Sequence, residues 1–463
     1  MNNIASQFDP LLIARYDVCG PRYTSYPTAP QFQDGFGEAE LRAAVQRSNQ
    51  APVSQPLSIY VHVPYCLSPC FYCGCTRIIT RDRAKADAYL ARLQREIELI
   101  APAFDRDRPV VQLHFGGGTP NFLDARQMSA LLGLLARNFS FSRDSEREFG
   151  IELDPRSCDA DYVQMLAGLG FNRISVGIQD FDADVQRAVN RVQSLEQTRA
   201  VIEAARTARM RSVSVDLIYG LPKQTPARFA HALEQVIALR PDRVACYAYA
   251  HLPERFKAQR QIDSADLPNA ATRLELLALT VQRLGDAGYR YIGMDHFALP
   301  GDDLARAQDA ETLQRNFQGY STCGNCDLVG LGMSAISHIG NTYSQNARDV
   351  LGYFAALDAR RLPTSRGLVL NPDDHIRAEV IEALMCHGVL DTQACAARHR
   401  IDFQRYFAAE LARLRELETD GLVEVTPTRI TVTSRGRFLL RIIAMCFDAY
   451  LARVPDVRYS RAV

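Results

Sequence analysis

The chain has 463 residues, 47 % of them apolar, with 53 basic and 53 acidic side chains. That length suits one large catalytic domain plus a smaller one, and the balanced charge gives no pull toward nucleic acid or an anionic membrane. No apolar run approaches the ~20 residues of a membrane-spanning helix. The start, MNNIASQFDPLL, lacks a basic segment followed by an apolar one, so a cytoplasmic protein without a secretory signal is expected.

In chain order, residues 1–50 contain the Tyr/Pro-rich stretch PRYTSYPT (21–28), which reads as an arm or lid rather than core. Residues 51–360 then repeat one pattern. Short runs rich in Val, Ile and aromatics occur at 58–64, 110–115, 149–154, 173–179, 212–220 and 243–250. Helical patterns separate them at 84–101, 124–138, 159–168, 194–208 and 227–239. Alternation of near-continuous apolar strands with helices predicts a parallel sheet covered by helices. Six such units fit a β/α barrel or an open doubly wound sheet. The cysteine cluster described below, GGGTP (116–120), Glu152, Gln179 and Asp216 all fall at or just beyond strand C-termini. Only a barrel gathers such positions at one mouth, so a partial (β/α)6 TIM-like barrel is the expected fold.

Residues 361–463 differ in character. Two or three amphipathic helices over 373–419 precede a β-hairpin at 420–436 and an apolar helix running to about residue 452. Helices plus a hairpin make a winged-helix-like domain; the neutral charge favours a packing role over DNA binding.

Twelve cysteines in such a chain do not suggest a disulfide scaffold. Four of them, Cys66, Cys70, Cys73 and Cys75, lie within ten residues, on a loop after the first strand. Most of the scattered ones read as small buried hydrophobes. Cys323-Gly324-Asn325-Cys326 could be redox-active or bind metal, but no second pair lies near, so two loosely placed loop thiols are expected. Cys66, Cys70 and Cys73 have the spacing C-x3-C-x2-C. Thiolates suit soft metals, and an ordinary four-iron cluster takes four cysteines. Three closely spaced thiolates can hold three irons and leave one open to a small molecule. Zinc remains the alternative, with Cys75 as a fourth ligand, although zinc usually takes paired ligands at two separated points.

The cysteine motif, with Tyr72 immediately before its last cysteine, resembles the radical S-adenosylmethionine superfamily. In that superfamily the open iron chelates S-adenosylmethionine, and its cleavage yields a 5′-deoxyadenosyl radical. Gly116-Gly117-Gly118-Thr119-Pro120, one unit later, resembles the segment that binds the methionine amino group. Glycines there let backbone approach a charged head group.

A finer resemblance covers nearly the whole chain. PRYTSYPTA, YVHVPYC, CFYCGC, HFGGGTP, IELDPR, FNRISVGIQDF, VNRVQ, DLIYGLPKQT, YAYAHLP, GMDHFALP, NFQGYST and GMSAIS, in this order, are similar to oxygen-independent coproporphyrinogen III oxidases. The resemblance implies one 4Fe-4S cluster on Cys66, Cys70 and Cys73, and two S-adenosylmethionine molecules. Tyr60, Gly117, Glu152 and Ile336 match contacts to the first; Tyr72, Cys75, Gly118, Thr119, Gln179, Arg191, Asp216 and Ala250 match contacts to the second. Tyr60, Cys75 and Glu152 are the catalytic candidates. The residue types agree: carboxylates accept from ribose hydroxyls or an adenine amino group, Arg191 can pair with a methionine carboxylate, and tyrosines offer flat faces or hydroxyls. Three buried carboxamide or carboxylate groups on apolar strands already favour a polar site over structural bonding.

The implied reaction removes hydrogen from the ring-adjacent carbon of two propionates of coproporphyrinogen III. Each loses carbon dioxide and becomes a vinyl group, giving protoporphyrinogen IX in haem synthesis. Arg22, Tyr320 and the 21–28 arm are candidates for substrate contact. An electron donor and acceptor, unnamed by the sequence, complete the partners, and a monomer is expected. Three alternatives share parts of this pattern. A haem chaperone on the same fold generally carries a bulky residue where this chain has Cys75. A haem-degrading radical methyltransferase has a similar fold. A winged-helix redox regulator would bind DNA, and leaves GGGTP, Glu152 and Arg191 without a role.

Overall fold

The computed structural model describes residues 8–451 together with Tyr459 and Arg461. The six expected strands are β1 (Leu57–Val63), β2 (Pro109–Gly117), β3 (Glu148–Leu153), β4 (Arg173–Gln179), β5 (Ser212–Tyr219) and β6 (Arg243–Ala248). They pair in parallel in chain order. β1 is buried at every position but Tyr60, as a strand covered on both faces must be.

Beyond β6 the sheet turns antiparallel with β7 (Arg290–Gly293) and β8 (His296–Ala298). On the other side of β1 lies a further parallel strand, β9 (Asp327–Leu331). Antiparallel strands β10 (Ile336–Ile339), β11 (Thr342–Asn346) and β12 (Thr364–Val369) follow. The two ends of the sheet do not pair among the described residues, so the barrel is partial, as expected. β12 carries the main sheet past residue 360.

The covering helices are α1 (Ala84–Ile100), α2 (Ala125–Asn138), α3 (Ala160–Gly168), α4 (Leu195–Thr207) and α5 (Pro226–Leu239). Side chains of Asp124, Asp159, Ser194 and Thr225 cap the N-termini of the last four and stop each incoming chain at a defined residue. Their apolar faces, including Leu131, Leu135, Val201 and Leu233, close one core over the sheet.

The second core holds α6 (Pro372–Glu382), α7 (Thr392–His399) and α8 (Ala408–Thr419). The expected hairpin forms from Val423–Val425 and Arg429–Val432, and a third strand, Val389–Asp391, joins it. The apolar helix expected to reach residue 452 is shorter. A 3-10 turn over Gly436–Leu439 leads into a helix of only Leu440–Met445. The 21–28 arm is not free of the core, because Tyr23 and Tyr26 are buried against this domain. The Tyr23 hydroxyl donates to Asp448 at 3.0 Å, and the Tyr26 hydroxyl accepts from the Ala449 amide at 3.0 Å.

A buried ion pair locks β9 beside β1 and β2. Arg108, just before β2, lies 2.6 Å from Asp327, the first residue of β9, with side chains 0 % and 5 % exposed. Arg108 also donates to the Gln55 carbonyl at 2.8 Å and to Asn49 at 3.0 Å, while Asp327 accepts from the Gly340 amide at 2.8 Å. Removing one partner strands a buried charge. Arg108→Met should therefore cost about 3–5 kcal/mol in denaturant unfolding, and adding Asp327→Leu should recover part of it.

The C-terminal end of β9 is held by Glu96 of α1, which accepts from the Gly332 amide (2.8 Å), Tyr353 (2.5 Å) and Asn346 (2.5 Å). Burial pushes its carboxyl from 4.5 up to about 7, so folding favours the protonated form. That stabilisation is complete below the unfolded value and is lost as pH rises through the folded one. Glu96→Gln should accordingly cost more stability at acidic pH than at alkaline pH, when midpoints are compared with the parent across that window.

Candidate active site

The loop after β1 turns its cysteines into a cavity at the C-terminal ends of the parallel strands. Of the residues expected from sequence, Cys66, Cys70, Tyr72, Cys73, Cys75, Gly117, Gly118, Thr119, Glu152, Gln179, Arg191 and Asp216 all line this one cavity. Arg77 ties the loop together, donating to the carbonyls of Cys73 at 2.9 Å and Cys70 at 3.3 Å. The Thr119 hydroxyl donates to the Cys66 sulfur at 3.2 Å.

The thiols differ in acidity. A hydrogen bond from Cys75 lowers Cys73 to about 6, aided by the Arg77 charge. The same bond, with burial, raises Cys75 well above the ordinary range, and burial pushes Cys66 up to about 11.

Behind the loop sit cations the sequence reading only partly anticipated. Arg191 is 6 % exposed. It donates to the Gly177 carbonyl at 2.6 Å and reaches Asp154 at 3.3 Å and the Cys70 sulfur at 3.6 Å. Arg156 pairs with Asp154 at 2.6 Å and lies 3.8 Å from the same sulfur. Asp154 and Arg156 belong to the quoted IELDPR, yet neither was assigned a role. The Nε atoms of Arg191 and Arg77 are buried without a hydrogen-bond partner. Soft sulfur donors ringed by three guanidiniums, two with spare donors, fit an anionic iron–sulfur cluster and an anionic head group.

The glycine segment is shaped by close approach. Gly117 has φ +115°, a conformation L side chains rarely adopt. A Cβ on Gly118 would lie 2.7 Å from the Pro64 carbonyl oxygen, and one on Gly116 would lie 2.8 Å from a Glu152 oxygen. Gln179 takes φ +69° at an irregularity between β4 and β5, which turns its side chain to the cavity.

Asp216 differs from expectation in depth. It lies mid-strand in β5, opposite Gly177 and Ala245, rather than at the strand end. Burial, then the nearby Glu152 charge, raises its carboxyl to about 7, and Ser175 donates to it at 3.1 Å.

Tyr60, Ala250 and Ile336 stand outside the cavity wall. Tyr60 stacks on His114 (ring centroids 6.1 Å), and His114 lies 3.3 Å from Glu152, so Tyr60 is one layer behind it. His114 carried no sequence signal beyond its place in HFGGGTP. Gln259 donates to both the Tyr72 carbonyl (2.9 Å) and the Ala250 carbonyl (3.1 Å), tying Ala250 to the cysteine loop. The Ile336 side chain packs with Phe32, Tyr343 and Leu370 instead.

A second cavity continues inward between the strands, sharing Glu152, Ser175, Asp216 and Tyr247 with the first. Tyr320 lines it, as the sequence suggested. Arg22 reaches its wall, 5.5 Å over the Tyr247 ring and paired with Asp295 at 3.0 Å. Cys323 and Cys326 are free thiols on a different cavity, beside Tyr23 and Arg315, and burial raises them to about 11 and about 12.

Comparison with known proteins agrees with this geometry. The Radical SAM superfamily model matches residues 60–236, and the HemN C-terminal domain model matches residues 370–439. The protein is thus a radical S-adenosylmethionine enzyme, a class defined by a 4Fe-4S cluster and S-adenosylmethionine. It is 50 % identical to the oxygen-independent coproporphyrinogen III oxidase of Pseudomonas aeruginosa over 99 % of both chains, and 48 % identical to that of Escherichia coli K12 over 98 % of both. The solved structure of coproporphyrinogen III oxidase (HemN) from Escherichia coli superposes with a TM-score of 0.91 at 46 % identity, covering 96 % of this chain and 99 % of that one. The chain belongs to the oxygen-independent coproporphyrinogen III oxidase family. Among the described residues no helix is long and apolar enough to cross a membrane.

The contact at Gly118 is with backbone, so no side chain can yield to relieve it. Gly118→Ala should cost about 1–3 kcal/mol in unfolding experiments. Gly133→Ala, whose new Cβ would meet only a flexible Arg137 at 3.4 Å, is the control expected to leave stability unchanged or raised.

Proposed function

We propose that this chain carries out the anaerobic oxidative decarboxylation of two propionates of coproporphyrinogen III, giving the vinyl groups of protoporphyrinogen IX. The observation that carries this reading is full-length similarity to enzymes of that name, joined to a three-thiol mouth above an inner cavity that shares its wall. When bound, the cluster and S-adenosylmethionine supply the one-electron chemistry that produces a hydrogen-abstracting 5′-deoxyadenosyl radical.

The chain's own residues do the rest. Cys66, Cys70 and Cys73 hold the cluster, and Arg77, Arg156 and Arg191 balance its charge. Gly117, with Glu152, Tyr60 and Ile336, positions the first S-adenosylmethionine. Tyr72, Cys75, Gly118, Thr119, Gln179, Arg191, Asp216 and Ala250 surround a second. Arg191 offers its unpartnered Nε to a carboxylate. Asp216, held near 7, can donate or accept a hydrogen bond at neutral pH. The inner cavity, with Tyr320 and with Tyr247 under Arg22, takes the porphyrinogen and keeps water from the reacting carbon. Hydrogen leaves the ring-adjacent carbon, the carboxylate departs as carbon dioxide, and one electron per propionate passes to an acceptor outside the chain. The working form is a cytoplasmic monomer that binds no nucleic acid, in keeping with its zero net charge.

The test is an anaerobic assay of reconstituted enzyme with coproporphyrinogen III, S-adenosylmethionine and a reductant. Two carbon dioxide and one protoporphyrinogen IX per substrate are expected; S-adenosylmethionine cleavage without decarboxylation would reject the reading. Cys75→Ala separates cluster from second-cofactor roles. It should keep the iron content and the spectral response to S-adenosylmethionine while product formation falls sharply. Unchanged product formation would show that Cys75 only packs, and lost iron would make it a cluster ligand.

A further inference from the structure

Away from the catalytic mouth, the C-terminal domain gathers three side chains of metal-ligand type. Glu379 on α6, with Cys395 and His399 on α7, bring a carboxylate oxygen, a sulfur and an imidazole nitrogen within 4.8 Å of one another. Cys395 and His399 are one helical turn apart, so α7 presents both on one face. The Glu379 carboxylate is shared: one oxygen lies 2.8 Å from His399 Nε2, the other 2.7 Å from Arg398. Cys395 is 1 % exposed, whereas the Glu379 and His399 side chains are 25 % and 19 % exposed. The thiol therefore forms a floor, with the carboxylate and imidazole at a mouth that an ion can enter.

We propose that Glu379, Cys395 and His399 form a zinc site that clamps α6 to α7. The donor set of one sulfur, one nitrogen and one oxygen is what zinc accepts, and tetrahedral bonds of about 2.0–2.3 Å set ligand atoms roughly 3.3–3.6 Å apart, so the imidazole and carboxylate separate slightly from their hydrogen-bond distance while the sulfur stays within about 1 Å of its place. Binding replaces the His399–Glu379 hydrogen bond by two bonds to the metal and releases the Cys395 thiol proton to solvent. Thiolate and carboxylate together cancel the charge of the dication, and the remaining positive charge is that of Arg398, whose side chain is 64 % exposed to solvent. Arg398 keeps the second carboxylate oxygen and fixes the orientation of the first. A plain Arg398–Glu379–His399 ion pair, with Cys395 only packing in the core, is the alternative that the zinc measurement separates from the site.

The test uses cluster-loaded enzyme incubated with zinc chloride, desalted, and analysed for zinc and iron. Wild type should retain about one zinc per chain, and its thermal midpoint should rise with added zinc. Cys395→Ala and the more exposed His399→Asn and Glu379→Gln should each lose the zinc and the thermal shift while keeping the iron. A cobalt-loaded sample should show sulfur-to-cobalt absorption in the difference spectrum, absent in Cys395→Ala. Zinc retained equally by wild type and all three variants, which would place it at other thiols such as Cys323 and Cys326, overturns the assignment. So does failure of wild type to retain zinc.

Discussion

The cysteine loop has to be held against the strand ends with its sulfurs open to the cavity, and the catalytic face is organised around the three guanidiniums that hold it there. Arg77 is supplied by the loop itself, Arg156 by the turn after β3, and Arg191 by the chain beyond β4. Arg191 is the deepest. It contacts Cys70, Asp154 and the Gly177 carbonyl at once, so one buried cation ties the cysteine loop to two strand ends. A guanidinium buried this way persists because Asp154 and the Gly177 carbonyl accept from it, even with the Arg156 cation on the same carboxylate.

The same constraint sets the geometry of the neighbouring strands. The end of β2 runs close against its neighbours: a Cβ at Gly118 would strike the Pro64 carbonyl ahead of the cysteine loop, and one at Gly116 or Gly117 the Glu152 or His62 side chain. β4 must bend at Gln179 so that the carbonyl of Gly177 faces Arg191 and the glutamine faces the cavity. β5 then places Asp216 below them, next to Glu152, where burial and that neighbouring charge push the Asp216 carboxyl up. The outer cavity passes into the inner one at this wall.

The opposite side of the barrel is held by different means. β9 continues the parallel sheet past β1, fixed at one end by Arg108–Asp327 and at the other by Glu96. The N-terminal arm and the C-terminal domain then pack together, Tyr23 and Tyr26 lying in the core that holds α6 to α8. Arg22, next to these anchors, reaches the wall of the inner cavity through Tyr247. Placement of the arm thus couples the second domain to the site.

Much of this was legible in the chain. Local patterns decide strands and helices: runs such as SIYVHVP are buried at nearly every position, and caps such as Ser194 and Thr225 mark helix starts. The cysteine spacing and GGGTP declare their chemistry because ligation and close approach need particular residue types at particular spacings. Twelve of the residues picked from sequence line one cavity for that reason. Other features had no local signal. β9 is short, and becomes a parallel strand only through pairing with β1. His114, Asp154 and Arg156 acquire meaning from partners brought close by folding, as does the Glu379, Cys395 and His399 group, whose members lie on two helices. Spacing along one segment is a property of sequence. Proximity between segments, and the burial that moves Asp216 to about 7, arises only when the sheet and its helices exclude water together.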